Sequence, residues 1–268
     1  MTRYFFHIAY NGIHYRGWQR QPNVHSIQEV IENKLAKALR LPSITIIGCG
    51  RTDAGVHASQ FFFHTDLKHP IRDDLKFVLN KILPPTIAVF DIIPTTPNLH
   101  ARFSAKERTY DYFIHTHKDP FIDQTSSLYV DYQLNLVAMK QAVDLLTKYK
   151  DYAAFCKQPD LHNTTICDVR SATLFQNEER TKLRFRIVAN RFLRGQIRII
   201  VQKLLEIGVG KFSLDAFEAC LKHKKRPQLI RPALPQGLFL SKIYYPDLDL
   251  PNKATYTLPN SSWQEIKI

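Results

Sequence analysis

The chain has 268 residues, 44% of them apolar and 12% aromatic, a composition that belongs to folded proteins and excludes a disordered one. With 37 Lys and Arg against 24 Asp and Glu its formal charge is +13, an excess that points to a polyanionic partner, nucleic acid first. No apolar run approaches the roughly 18 residues that a membrane span needs, and Cys49, Cys156, Cys167 and Cys220 have neither C-x-x-C pairing nor histidines at zinc-ligand spacing, so they read as buried thiols in a reducing compartment.

In chain order, RYFFHIAY (3–10) reads as a strand, and NGIHYRGWQRQPNVH follows as a loop rich in turn residues and aromatics. The opening MTRYFFHIAYNG is too short and too polar for a signal sequence, so the expected location is cytoplasmic. Ser26-x-x-Glu29 is a capping box, and Ile27, Val30, Ile31, Ala38 and Leu39 recur near helical spacing, which predicts a helix over 26–40. ITII (44–47) and ASQFFFHTD (58–66) are predicted strands separated by the loop GCGRTDAGVH. DDLKFVLNKIL is a short helix stopped by Pro84-Pro85, and TIAVFDIIP is a strand.

The second half repeats the theme. RTYDYFIHTH reads as a strand and NLVAMKQAVDLLTKY as a helix; ICDVRSATLFQ and RTKLRFRIVAN pair around the turn-like NEE. FLRGQIRIIVQKLLEIG and LDAFEACLK read as helices, and GLFLSKIYY as a closing strand. The order of strands and helices, with antiparallel hairpins, predicts an α+β architecture of two similar subdomains, 1–105 and 106–246. The polar, proline-punctuated tail 247–268 is expected to add little to the core.

Residues 48–58, GCGRTDAGVHA, carry the most chemistry. A dinucleotide G-x-G-x-x-G fails because its third position is Asp53, and a P-loop beginning Gly50-x-x-x-x-Gly55 fails because Val56-His57 replace the Lys-Ser/Thr that meets phosphates. A plain glycine-rich connection accounts for the glycines but not for a carboxylate held between apolar strands. Asp53 presented as a catalytic carboxylate fits better, since an ionised carboxylate can act as nucleophile or base at a glycosidic carbon without a metal. The glycines would then let a substrate backbone approach closely.

This segment resembles the G-x-G-R-T-D-x-G-V-H-A signature of the A-type tRNA pseudouridine synthases (the TruA family). YNGIHYRGWQRQPNVHSIQEVIENKL, HARFSAKERTYDYFI, ANRFLRGQIRIIVQKLLEIG and GLFLSKIYYP are similar to that family's other blocks and occur in the expected order from residue 4 to about 246. The resemblance implies a pseudouridine synthase fold, with largely antiparallel sheets flanking a central active-site cleft. The implied activity is isomerisation of uridine to pseudouridine in the anticodon stem-loop of tRNA, at nucleotides 38 to 40, by a homodimer that needs no cofactor and no metal.

By the same resemblance Asp53 is the catalytic carboxylate, attacking the ribose C1′ or removing the C2′ proton. Arg51 occupies the space left by the flipped base, although a structural ion pair with Asp53 is its plainer role. Tyr110 stacks on uracil, while Tyr110 and Tyr112 share a strand face, so either could be packing. Arg198 matches a family arginine that pairs with the catalytic aspartate. Leu238 matches a residue of the uracil pocket, though a leucine in a strand is core by default. In helical geometry Arg191, Arg194 and Arg198 would line up as one basic stripe beside an apolar face of Ile197, Ile200, Val201 and Leu204. RTKLRFRIVANRFLRGQIR and KHKKRPQLIRP are expected to touch the tRNA backbone. Cys49, Asn11, Gly195-Gln196 and Gln202 depart from the family pattern and bear on RNA preference. Two other readings stay open: a synthase of this family aimed at another RNA, and a non-catalytic RNA-binding protein that retains the fold.

Overall fold

A computed structural model of the chain describes residues 1–130, 133–224, 226–227, 230–248 and 262–268. In chain order its elements are β1 (Thr2–Tyr10), α1 (Ile27–Leu39), β2 (Ile47–Gly48), β3 (His57–Leu67), α2 (Leu75–Ile82), β4 (Ile87–Thr95), β5 (Glu107–His115), β6 (Ser127–Leu128), α3 (Leu136–Leu145), β7 (Val169–Asn177), β8 (Lys182–Ala189), α4 (Gln196–Gly208), α5 (Leu214–His223), β9 (Leu238–Tyr244) and β10 (Trp263–Glu265). Among the described residues no helix is long and apolar enough to cross a membrane. Two compact units emerge, one made of Met1–Lys106 with residues 239–248, the other of Glu107–Leu238 with 262–268.

In the first unit the strand order is β9-β3-β1-β4. β1 lies antiparallel to both β3 and β4, and β9 joins β3 in parallel through His57↔Phe239 and Ala58↔Leu240. The run Phe61-Phe62-Phe63 is buried throughout, so neither face of β3 meets water along this run. Alternate residues serve the two faces: Phe61 packs on Trp18 with centroids 4.1 Å apart, and Phe62 meets Tyr245 edge-on at 5.3 Å. α1 starts as its sequence predicts, with the Ser26 side chain accepting from the Glu29 amide, and ends at Arg40 in the left-handed region.

The strand expected at ITII shrinks to Ile47–Gly48. Side chains claim the backbone before it: Glu32 accepts from the Ile46 amide, Gln28 donates to the Ile46 carbonyl, and Thr65 donates to the Thr45 carbonyl. Backbone groups satisfied in that way have no need of a ladder.

His64 on β3 is buried, with Nδ1 accepting from the Ala101 amide at 3.1 Å. Burial, reinforced by the cationic Arg3, lowers its pKa to about 4. An unfolded histidine titrates near 6.5, so the folded state refuses a proton that the unfolded chain accepts below that pH. Stability is therefore expected to fall as pH drops from about 6.5 toward 4. A His64→Gln variant, which keeps an acceptor and cannot protonate, should lose less Tm between pH 7 and pH 4.5 than the wild type; an equal loss would assign the acid lability elsewhere.

In the second unit β10, β7, β8 and β5 form an antiparallel sheet, with the short β6 parallel to β5. Along β8, Leu183, Phe185, Ile187 and Ala189 are buried while the residues between them stay half-exposed. The tail strand β10 pairs Trp263–Glu265 with Phe175–Asn177, so this part of the tail extends the sheet, while 249–261 lie outside the described residues. α4 buries Ile197, Ile200, Val201 and Leu204 as its periodicity predicts. All four cysteines are buried free thiols, and burial pushes Cys167 up to about 12.

Candidate active site

The loop from Cys49 to Val56 is tied down at nearly every step. Cys49 donates its amide to the Phe62 carbonyl at 2.8 Å, which keeps the loop's first residue on β3. The Thr52 carbonyl accepts from the Trp18 amide at 3.2 Å, and the Thr52 hydroxyl meets the Tyr10 hydroxyl at 2.9 Å. Gly55 donates to the Tyr15 carbonyl at 3.1 Å. The Val56 amide returns to the Asp53 carbonyl at 3.2 Å, closing a four-residue turn whose third position, Gly55, sits at φ 74°. A turn of that kind asks for glycine there. Asp53 is thus the first residue of a tight turn, its side chain half-buried, with buried Thr52 on one side and exposed Ala54 on the other. Arg51 is exposed on the same loop.

The clamp comes from residues 10–18, and glycines make it possible. A Cβ on Gly12 would stand 2.0 Å from the Val56 carbonyl oxygen, and one on Gly17 would stand 2.4 Å from the Thr52 carbonyl oxygen. Gly48 presses on the Trp18 indole in the same manner, at 2.6 Å. The expectation that the loop glycines make room for RNA needs correcting at Gly48 and Gly55, which serve the protein's own packing and turn. Gly50, by contrast with Gly48, has open space around the Cβ position. His57, just past the loop, is buried, accepts the Gly12 amide on Nδ1 at 3.0 Å and stacks on Phe239 at 4.5 Å. Accepting on Nδ1 leaves the neutral ring's proton on Nε2.

Of the second unit's candidates, Tyr110 and Tyr112 separate cleanly. Tyr112 is wholly buried, its hydroxyl donating to the Leu234 carbonyl and accepting from the Ser127 hydroxyl, both at 2.8 Å, so it is a core residue. Tyr110 is half-buried, opposite Ile187, with its ring edge-on to Phe192 at 5.1 Å. An aromatic with part of its ring exposed and its orientation set by a neighbouring ring is what base stacking needs. Leu238, the first residue of β9, is buried.

The basic stripe is not helical. α4 begins at Gln196, so only Arg198 lies on it, and Arg191 and Arg194 belong to the lead-in. The lead-in turns because Gly195 adopts φ 73° and the buried Gln196 side chain accepts from the Leu193 amide at 2.7 Å. Arg198 donates Nε to the Ala233 carbonyl at 2.7 Å, while its own carbonyl accepts from the Ala233 amide. Exposed Arg194 donates to Gln158 Oε1 at 2.6 Å, and Arg191 is half-buried. Two other arginines of the predicted RNA-binding run have structural duties. Arg186 and Arg184 flank the fully buried Asp111, at 2.8 and 3.1 Å, and Arg184 also lies over the rings of Phe175 and Trp263. In KHKKRPQLIRP, Lys225, Gln228 and Leu229 lie outside the described residues.

Sequence reading missed the supports of the site: Tyr10, Trp18, Thr52 and His57 around the loop, and Phe192 beside Tyr110. The only signal for the first group was the aromatic and glycine content of residues 10–18, and Phe192 was hidden inside an assumed helix.

Comparison with known proteins supplies the family. A sequence profile of tRNA pseudouridine synthases matches residues 146–246. Full-length relatives include the tRNA pseudouridine synthase A of Parabacteroides distasonis, 40% identical over 92% of this chain and 97% of its own. That of Bacteroides fragilis is 41% identical over the same shares, and that of Clostridium kluyveri is 34% identical over 89% and 97%.

Proposed function

The chain belongs to the tRNA pseudouridine synthase A family, an isomerase of tRNA uridine, and from that premise we propose that it works in the anticodon stem-loop, at nucleotides 38 to 40, with Asp53 as its catalytic carboxylate. The observation that carries the residue assignment is the clamped turn. A single half-buried carboxylate is held on a loop whose neighbouring main chain is bonded at Thr52, Gly55 and Val56. Such fixing pre-organises one acidic group and leaves it reachable.

The reaction breaks the bond from ribose C1′ to uracil N1, joins C1′ to C5, and moves a proton from C5 to N1. Asp53 acts on the ribose, either at C1′ as nucleophile or at C2′ as base. Exposed Arg51 enters the gap left by the extruded base, whose unstacking costs a few kcal/mol. Tyr110 provides the aromatic face for uracil, Leu238 an apolar wall, Arg198 a cation for Asp53, and Arg191 and Arg194 contacts to the RNA. The family resemblance also supports a cytoplasmic homodimer; sedimentation of the purified protein reads its oligomeric state.

The test is to incubate purified protein with unmodified tRNA transcript and map pseudouridine chemically. Product confined to nucleotides 38 to 40 is expected, and product elsewhere would overturn the target assignment. In the same assay Tyr110→Ala should lower kcat/KM about 10- to 100-fold, the effect of one lost stack, while Tyr110→Phe retains most activity. Binding without product would favour the non-catalytic reading.

A further inference from the structure

The second unit holds a solvent-open cavity of about 450 Å³ lined by Lys157, Gln158, Arg194, Arg226, Ile230 and Pro232. Three of the six carry positive charge, and no Asp or Glu lines the cavity among the described residues. The three cations come from three separate segments, so the fold gathers them. The Arg226 guanidinium donates to the Lys157 carbonyl at 2.9 Å, the Arg194 guanidinium to Gln158 Oε1 at 2.6 Å, and the Lys157 amide to the Arg194 carbonyl at 3.1 Å. Gly195 completes the arrangement: its Cα abuts the Lys157 side chain, and an added Cβ would stand 3.0 Å from Lys157 Cγ.

Gathering like charges costs free energy unless an anion offsets the repulsion. Two guanidiniums offer planar forked donors and the ammonium a point charge, a set suited to phosphate oxygens. Ile230 and Pro232 add apolar surface that fits a ribose edge better than it fits a small hydrated ion.

We propose that this cavity seats a backbone phosphate of the bound tRNA, with Lys157, Arg194 and Arg226 as its ligands. The assignment rests on the tRNA reading above and adds a defined anchoring point to it. A free phosphate could satisfy the same cations, so the test separates the two.

Affinity for unmodified tRNA transcript is measured by filter binding from 50 to 300 mM salt for the wild type, Arg226→Gln, Lys157→Met and Arg226→Lys, together with kcat and KM for pseudouridine formation. Arg226→Gln and Lys157→Met should each raise Kd and KM about tenfold and reduce the slope of log Kd against log salt by about 1, with kcat at saturating tRNA retained; Arg226→Lys should recover most of the slope. Unchanged Kd and slope in both charge-removing variants overturn the proposal. So does a second pattern, in which inorganic phosphate raises the Tm of the wild type and not of Arg226→Gln while tRNA binding is the same in both, for then the site takes the free ion. Wild-type protein that binds tRNA and forms no pseudouridine would overturn the isomerase reading, and the binding slopes would still decide the cavity.

Discussion

Replacing Asp53 by asparagine is expected to cut pseudouridine formation by at least about 10⁴-fold while Kd for tRNA stays within about threefold, because removing a group that reacts covalently or abstracts the proton forfeits the chemical step rather than binding. Asparagine keeps the shape of the side chain, and main-chain bonds help to place residue 53: the Asp53 carbonyl accepts from Val56, and the Thr52 carbonyl from Trp18. The variant is expected to fold, and its Tm, measured beside the wild type, checks that the loss of activity is not a loss of structure. Single-turnover mapping with excess enzyme reads the loss without interference from product release. A residual rate within about tenfold of the wild type would remove Asp53 from the chemistry. Substrate carrying deuterium at C2′ of the target uridine then separates the two routes, since a primary isotope effect appears only where that C–H bond breaks in a rate-limiting step.

The α+β class and the strands of both units were legible because period-2 and period-3.6 patterns are local, and so was Ser26 as a cap. What failed, failed where a side chain took over a backbone bond that the apolar pattern does not record. The strand at ITII was lost to Gln28, Glu32 and Thr65, of which the last is 20 residues from the carbonyl it bonds. The helix was extended too far back because Phe192 and Leu193 continue the apolar spacing of α4, whereas the turn before it depends on Gly195 and on a buried glutamine side chain.

The site shows the same division. Asp53 stood out as a carboxylate that no phosphate loop would hold, and the choice between two tyrosines on one strand face needed only their burial. Arg184 and Arg186 read as RNA ligands because a run of charges is visible in sequence while its partner Asp111, across the sheet, is not. The clamp of residues 10–18 on 48–57 joins residues as far as 45 positions apart, as at Gly12 and His57, and one sequence carries no sign of such pairing.

That clamp can be tested by size alone. Gly12→Ala is expected to destabilise the first unit by about 3 kcal/mol, the upper range for a methyl forced into packed surroundings, and to lower Tm by about 5–10 °C. The added Cβ would meet a carbonyl oxygen 2.0 Å away, and backbone on both sides leaves no flexible end to yield. Relief requires residues 10–18 and 52–56 to separate, which strains the bonds from Gly12 to His57, from Trp18 to Thr52 and from Gly55 to Tyr15. Asp53 moves with that turn, and a displacement of about 1 Å is enough to cost roughly 10²-fold in kcat. Gly50→Ala, on the loop that the clamp holds, is the matched control, since nothing lies within 4 Å of its Cβ position; its Tm should stay within about 2 °C. Equal loss of stability in the two variants would mean that something other than close approach at Gly12 sets the loss. A fall confined to Gly12→Ala, with tRNA affinity retained and kcat reduced, would show that the first loop of the chain holds the turn carrying Asp53 in place.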